Sequence, residues 1–211
     1  MKIIGLGHYS RVGKDSLAKM IVKELATRGI QADIWSFAWK LKDVSFQLYG
    51  WAGLRQPSFY ETEEGAALRH VKLDAIGLTP IEVWVKLGNA VRNEVYGATW
   101  IDNVLNRKCE NGVVVIPDVR FTNEVDAIRQ KGGMLVKVIR PGFGPLNTPS
   151  DLALMGCRCW DMVVGESGQM SELSEAASNI AAWIAGVEEC PAQTGQEIDR
   201  LLAVEQHCFP N

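Results

Sequence analysis

The pair Gly13-Lys14 stands between a short apolar stretch, Ile3-Ile4-Gly5-Leu6, and a segment, 16–25, whose apolar residues recur at helical spacing. A buried strand that runs into a glycine-lysine turn and then opens a helix is the context a phosphate-binding loop requires. The backbone N–H groups of such a loop wrap around phosphate oxygens, and the helix adds its positive N-terminal end. Lys14 would reach the β- and γ-phosphates as a point charge. The general pattern is G-x-x-x-x-G-K-[ST]. Here His8 stands at the first glycine position with Gly7 just before it, and Asp15 follows Lys14, so the hydroxyl comes one residue later at Ser16. His8 reads as loop structure, because phosphoryl transfer rests on positioning and charge neutralisation and needs no histidine base.

The remainder of the chain alternates strands with helices. Strands are expected at 32–37, 113–118, 134–139 and 161–164, and helices at 16–25, 38–49, 80–95, 100–108, 124–131 and 170–185. Thr79 is an N-cap candidate, with Pro80 in the first turn that follows. Residues 51–62 read as a loop, and 187–211 as an appended tail with one or two amphipathic turns around Ile198, Leu201 and Leu202. The run Val113-Val114-Val115-Ile116-Pro117 is apolar throughout, which suits a strand buried on both faces of a parallel sheet. The expected class is therefore α/β, with helices flanking a parallel sheet.

Asp118 closes that run. In an open parallel sheet ligands sit at the carboxyl ends of strands, where a carboxylate can hold Mg²⁺. The alternative for Asp118 is a helix N-cap or a partner for Arg120. Arg120 itself suits bidentate contact with a phosphate at the rim. On the helix at 80–95, Arg92 shares a face with Gly88 and Asn89, and a glycine inside a helix permits close approach of a ligand or another backbone. A solvated arginine is the plain alternative. Trp100 reads more readily as core. Arg55, Tyr60, Arg69 and Lys72 lie between the second strand and that helix, where an acceptor site could be built.

The charge balance excludes some classes. A formal net charge of −3 gives no reason to expect nucleic-acid binding. No run is long enough to span a bilayer and the N-terminus lacks a signal pattern, so a cytoplasmic protein is expected. The five cysteines, Cys109, Cys157, Cys159, Cys190 and Cys208, are an odd number without a secretion signal, which argues for free thiols. Cys157 and Cys159 form the one tight pair, and no neighbouring ligands complete a zinc set.

Several separated stretches resemble the deoxynucleoside monophosphate kinase family of tailed bacteriophages, within the P-loop NMP-kinase class. They are Gly13-Lys14-Asp15-Ser16, Ser36-Phe37-Ala38-Trp39-Lys40-Leu41-Lys42, Leu87-Gly88-Asn89-Ala90-Val91-Arg92 with Trp100-Ile101, and Asp118-Val119-Arg120-Phe121-Thr122-Asn123-Glu124. Arg140-Pro141-Gly142 and Trp160-Asp161-Met162-Val163-Val164 also fit. The resemblance covers residues 1 to about 185. It implies a three-layer P-loop NTPase-type fold over 1–186, with a helical acceptor-binding insert at about 51–110 and a small lid at about 119–133. It also implies phosphorylation of a (deoxy)nucleoside 5′-monophosphate by ATP with Mg²⁺, serving phage DNA synthesis in the host cytoplasm, with a homodimer as the possible assembly.

By position, Tyr9, Ser10, Arg11, Val12, Gly13, Lys14, Asp15, Ser16 and Arg140 would bind ATP. Asp15, Ser16 and Asp118 would order the metal, and Lys14, Arg92, Arg120 and Asp118 would carry the transfer. Trp39, Lys42, Arg55, Tyr60, Lys72, Gly88, Arg92 and Trp100 would meet the acceptor. The departures from the family pattern are His8 for glycine, Val12 for a small residue, and Asn89-Ala90 for an expected Thr-Glu. Two other readings keep the loop: a kinase of another phosphorylated small molecule, of the phosphomevalonate or dephospho-coenzyme A type, or a nucleotide-binding protein without turnover.

Overall fold

The run Val113–Ile116 is buried at every position, and it pairs on both sides with other strands. In chain order the elements are β1 (Lys2–Gly7), α1 (Lys14–Thr27), β2 (Asp33–Ile34), α2 (Phe37–Tyr49), α3 (Glu63–Leu68), α4 (Pro80–Ala90), α5 (Thr99–Leu105), β3 (Val113–Ile116), α6 (Thr122–Gln130), β4 (Met134–Val138), α7 (Pro149–Leu152), β5 (Met162–Val164), α8 (Met170–Ile184) and α9 (Gly195–Cys208). The computed structural model describes residues 1–145 and 148–208, without the side chains of Pro149 and of residues 204–208. The chain divides into two compact units. One is Met1–Trp35 together with the chain from Lys108 onward, and the other is Ser36–Arg107.

The first unit is built on a five-stranded sheet in the order β2-β3-β1-β4-β5, parallel throughout. Ile4 and Leu6 of β1, Val115 of β3, Val136 of β4 and Val164 of β5 share a core with Leu17 and Ile21 of α1 and Ala177 and Ile180 of α8. Helix α6 contacts β1 and β4, burying Val125 and Ile128. These residues lie within 119–133, the stretch expected as a lid. This is the expected α/β class: a parallel sheet with flanking helices, as in P-loop kinases. The order places β1 between β3 and β4, so the loops leaving β1 and β3 rise side by side at the carboxyl edge of the sheet.

The second unit is helical. The Thr79 hydroxyl accepts from Glu82 N at 3.2 Å, and the Glu82 carboxylate accepts from Thr79 N at 2.8 Å, closing a capping box at the start of α4. Leu54, Tyr60 and Val83 form a small core with Phe59, Leu73 and Trp84 around it. Helix α4 meets α2 closely at Gly88, where a Cβ would lie 2.8 Å from Leu41 Cδ2.

The structure differs from expectation in several places. The second strand is only Asp33–Ile34, because Ser36 is the N-cap of α2 and Phe37 already lies in the helix. The stretch expected as a loop carries two short 3-10 segments, Gly50–Ala52 at its start and Pro57–Glu61 within it, the latter begun by a proline whose fixed φ suits it. Cys157 and Cys159 are joined as a disulfide, with Cα atoms 5.3 Å apart, whereas Cys109 and Cys190 are free. The chain after residue 186 is not merely appended. Val163 N donates to Gln193 Oε1 at 2.8 Å, Gln193 Nε2 donates to Val163 O at 3.1 Å, and Ile198 and Leu201 of α9 are buried. The Cys208 side chain and residues 146–147 and 209–211 lie outside the described residues. Among the described residues, no helix is long and apolar enough to cross a membrane.

Candidate active site

Strand β1 ends at Gly7, and the chain turns through His8–Val12 before Gly13 takes φ 106°. That left-handed geometry favours glycine, and it lets α1 start directly at Lys14. Arg11 also lies in the left-handed region, at φ 62°. For a residue with a Cβ this costs about 1 kcal/mol or more, and such strain gathers at functional sites. No side chain caps α1, so the N–H groups of its first turn remain as donors toward the loop.

Lys14 is buried, and its ammonium donates to the carbonyls of Tyr9 and, at 3.5 Å, His8. Burial, and then the charge of Arg120, lowers its pKa to about 8, while Asp15, Asp118 and Asp151 act in the opposite direction. Asp118, half-buried just past β3, and Asp15, in the first turn of α1, thus bear on the same ammonium. His8 is fully buried, and burial together with the charge of Lys137 lowers its pKa to about 3. It is therefore neutral near pH 7. Its Nε2 lies 2.9 Å from the Asp151 carbonyl, which can only accept, so Nε2 carries the proton. This agrees with a structural role for His8.

Arg120 lies in the turn between β3 and α6. Its backbone N–H and that of Phe121 donate to the buried Glu124 carboxylate at 2.7 and 3.0 Å, which fixes the turn. The guanidinium donates to Ser10 Oγ of the phosphate loop at 3.2 Å and lies 3.5 Å from Asp151 Oδ1. Arg140 reaches back over the loop, with Nη1 3.5 Å from the Arg11 carbonyl, and its guanidinium stacks on Phe143 at 4.5 Å.

A cleft of about 330 Å³ opens beside this loop. Arg11, Val12, Gly13, Asp15 and Ser16 line it together with Arg140, and Gln169, Met170 and Leu173 add further, partly apolar, lining. The turn bordering it is held by Glu172, whose carboxylate accepts from Gly165 N, Glu166 N and both Ser167 N and Ser167 Oγ. Burial works against the charge of Glu172, but these bonds outweigh it and keep the carboxyl pKa below its usual value.

The helical unit holds the expected acceptor residues. Arg92 sits on a single π-helical turn, Val91–Val95, and donates to Asn89 Oδ1 at 3.2 Å. Such turns recur at functional sites. Gly88 packs α4 on Leu41, its carbonyl accepts from Trp100 Nε1 at 3.2 Å, and Trp100 is buried. Lys42 lies 3.3 Å from Glu61 Oε1 and 5.4 Å from the Trp84 ring. Arg69 donates to the Tyr60 carbonyl and lies 3.6 Å from the same Glu61 oxygen. Tyr60 is buried, with its hydroxyl accepting from Arg55 N at 3.1 Å. Trp39 and Lys72 are exposed.

The structure thus brings Tyr9–Ser16, Asp118, Arg120 and Arg140 to one edge of the sheet. Asp151, Glu124, Glu172 and Gln169 join them without having been singled out as site residues in the sequence. Glu124 and Asp151 each had a local signal, a spacing of three residues after Phe121 and after Thr148 at a helix start. The partners of the others lie in distant or irregular segments.

No known family profile matches the chain. Over 69 residues, 32% of this chain, it is 39% identical to a protein of Acanthamoeba polyphaga mimivirus named "Putative deoxynucleotide monophosphate kinase". The match spans 36% of that protein's length, about a third of it.

Proposed function

We propose that the chain is a kinase that transfers the γ-phosphoryl group of ATP to a (deoxy)nucleoside 5′-monophosphate. The observation that carries this reading is a phosphate loop whose lysine and Ser10 stand beside the Arg120 and Asp118 of the neighbouring strand's end. The likeness to the viral kinase supports the substrate class.

In this reading the acceptor's phosphate oxygen attacks the γ-phosphorus. The bond from that phosphorus to the β–γ bridging oxygen breaks, and ADP leaves as the nucleoside diphosphate forms. The loop amides and the first turn of α1 bind the triphosphate. Lys14 leaves the Tyr9 carbonyl to reach the β- and γ-phosphates, and Arg120 meets the charge that develops on the transferring group. Ser16, Asp15 and Asp118 offer only oxygen donors, the set that magnesium prefers. Held there, magnesium would neutralise charge between the phosphates. Among the described residues no cluster of three or more His, Cys, Asp or Glu side chains could hold a metal ion alone, so the nucleotide's own phosphates would complete its shell. Arg140 and the cleft with Gln169, Met170 and Leu173 would take the rest of ATP. Arg92, Lys42, Arg55, Tyr60, Lys72 and Trp39 of the helical unit would bind the acceptor, with Trp100 and Gly88 shaping the helices that carry them. Nucleotide supply for phage DNA synthesis is the role this activity would serve.

A coupled assay of ADP release with ATP, magnesium and each ribo- and deoxynucleoside monophosphate tests the reading. Acceptor-dependent ADP release with at least one of them is expected. Release only with dephospho-coenzyme A or phosphomevalonate would move the acceptor class. Tight ATP binding with no transfer to any acceptor would leave a nucleotide-binding protein.

A further inference from the structure

Asp151 belongs to no part of the loop motif, yet it is tied to the phosphate loop once directly and once through Arg120. Its carbonyl accepts from His8 Nε2 at 2.9 Å, and its carboxylate reaches Ser10 through Arg120. The side chain is 2% exposed. One carboxylate oxygen faces Arg120 Nη1 at 3.5 Å, and the other accepts from Thr148 Oγ1 at 2.9 Å. A carboxylate this deeply buried needs compensating charge and hydrogen bonds. Its distance to the guanidinium is nonetheless long, since charge-assisted bonds of this kind run about 2.7–2.9 Å. The Arg120 side chain is also 27% exposed. The guanidinium is therefore shared between Asp151 and the phosphate loop, and its fork remains within reach of a further anion.

We infer that Asp151 is a positioning residue for phosphoryl transfer: it holds the Arg120 fork beside Ser10 and competes with bound phosphates for it. This rests on the kinase reading given above. The consequence is a pair of opposed effects. Asp151 weakens triphosphate binding, because its negative charge already draws on one arm of the fork. It speeds transfer, because it fixes the direction in which the fork meets charge building on the transferring group. A residue that only supported the fold would shift binding and turnover in the same direction.

The test is a double-mutant cycle on the full chain with Asp151→Asn, Arg120→Ala and the pair. ATP with magnesium is titrated by calorimetry, and turnover is measured with the best acceptor. Asn keeps the shape, and the carbonyl that holds His8 is untouched. Asp151→Asn is expected to bind ATP about threefold to tenfold more tightly while turning over about tenfold or more slowly. In the Arg120→Ala background the same change is expected to alter ATP affinity less than about twofold. Unchanged or weaker ATP binding, unchanged turnover, or an equal effect without Arg120 overturns the inference. If Asp151→Asn does not fold, Thr148→Val loosens the same carboxylate from its other oxygen, and the same two signs are expected at about twofold or more. Failure of the kinase reading is separate: a wild-type chain that binds ATP but transfers to no acceptor loses that reading, and the ATP-binding cycle then decides by itself whether Asp151 acts through Arg120.

Discussion

The ammonium of Lys14 is turned back onto the carbonyl oxygen of Tyr9, inside the loop that both residues form. A buried cation hydrogen-bonded to neutral carbonyls is only partly compensated by the charges of Asp15, Asp118 and Asp151, and phosphate oxygens would replace those carbonyls with full charge. Lys14→Met is therefore expected to lower turnover by ~10²-fold or more. The ligand-free protein should keep its melting temperature, because a costly buried charge has gone. Turnover within about tenfold of wild type (roughly 1.4 kcal/mol) in a folded variant would place the phosphates elsewhere.

The same burial makes ATP binding pH-dependent. Lys14 has its pKa lowered to about 8 from 10.5, and the negative charge of bound phosphates raises it again. Between those values the free loop is partly deprotonated, so ATP binding should take up a proton fraction that is largest near pH 9 and vanishes toward pH 7. Calorimetry in buffers of differing ionisation heat measures that uptake, and Lys14→Met should abolish it. The unfolded chain also binds more protons in this window, so this residue's contribution to stability grows as pH rises through it.

Arg92→Ala and Arg120→Ala should each reduce turnover far more than ATP affinity, because arginines supplied to this chemistry act on transition-state charge. A loss on the order of 10³-fold is expected for each. Steady-state kinetics alongside ATP titration separates the two quantities. Losses under about tenfold for both would make them ordinary polar-surface arginines.

His8 sets an acid limit on the fold. Its pKa is about 3, against 6.5 for the free group, so the unfolded chain binds the extra proton as pH falls below 6.5. The stability tied to neutral His8 is complete above that value and is lost progressively toward pH 3. The cost is about 1.4 kcal/mol for each pH unit below 6.5. Denaturant melts at pH 7 and pH 5 should show it, and His8→Gln should flatten the difference. An equal pH slope in that variant would assign the acid sensitivity to other groups.

The sheet was legible because its strands are continuous apolar runs, and the loop because strand, glycine, lysine and helix follow one another within sixteen residues. Thr79 was legible as a cap because Pro80 follows it in the first turn, and the structure adds Glu82 three residues on. What escaped is held together across the chain. Ser10 and Arg120 are 110 residues apart, and His8 and Asp151 are 143 apart. The Thr148–Asp151 spacing marks a helix start, but nothing local marks that this carboxylate will be buried against Arg120. Strand β2 was over-read because the apolar residues Trp35 and Phe37 fit a strand pattern, whereas Ser36 between them is where α2 begins. Gly88 was read as room for a ligand or another backbone, and the structure packs α2 there through Leu41.

The side-chain amide of Gln193 meets Val163 on the outermost strand of the sheet, giving and taking one hydrogen bond each. A primary amide carries the same donor and acceptor as a peptide group, so a single side chain here imitates the next strand and ends the array. An unprotected strand of this kind recruits copies of itself. A chain cut after Gly186 should therefore grow sheet against sheet into soluble aggregates, visible by light scattering, while the uncut chain stays dispersed. On that outcome the stretch from residue 187 would be a guard against polymerisation.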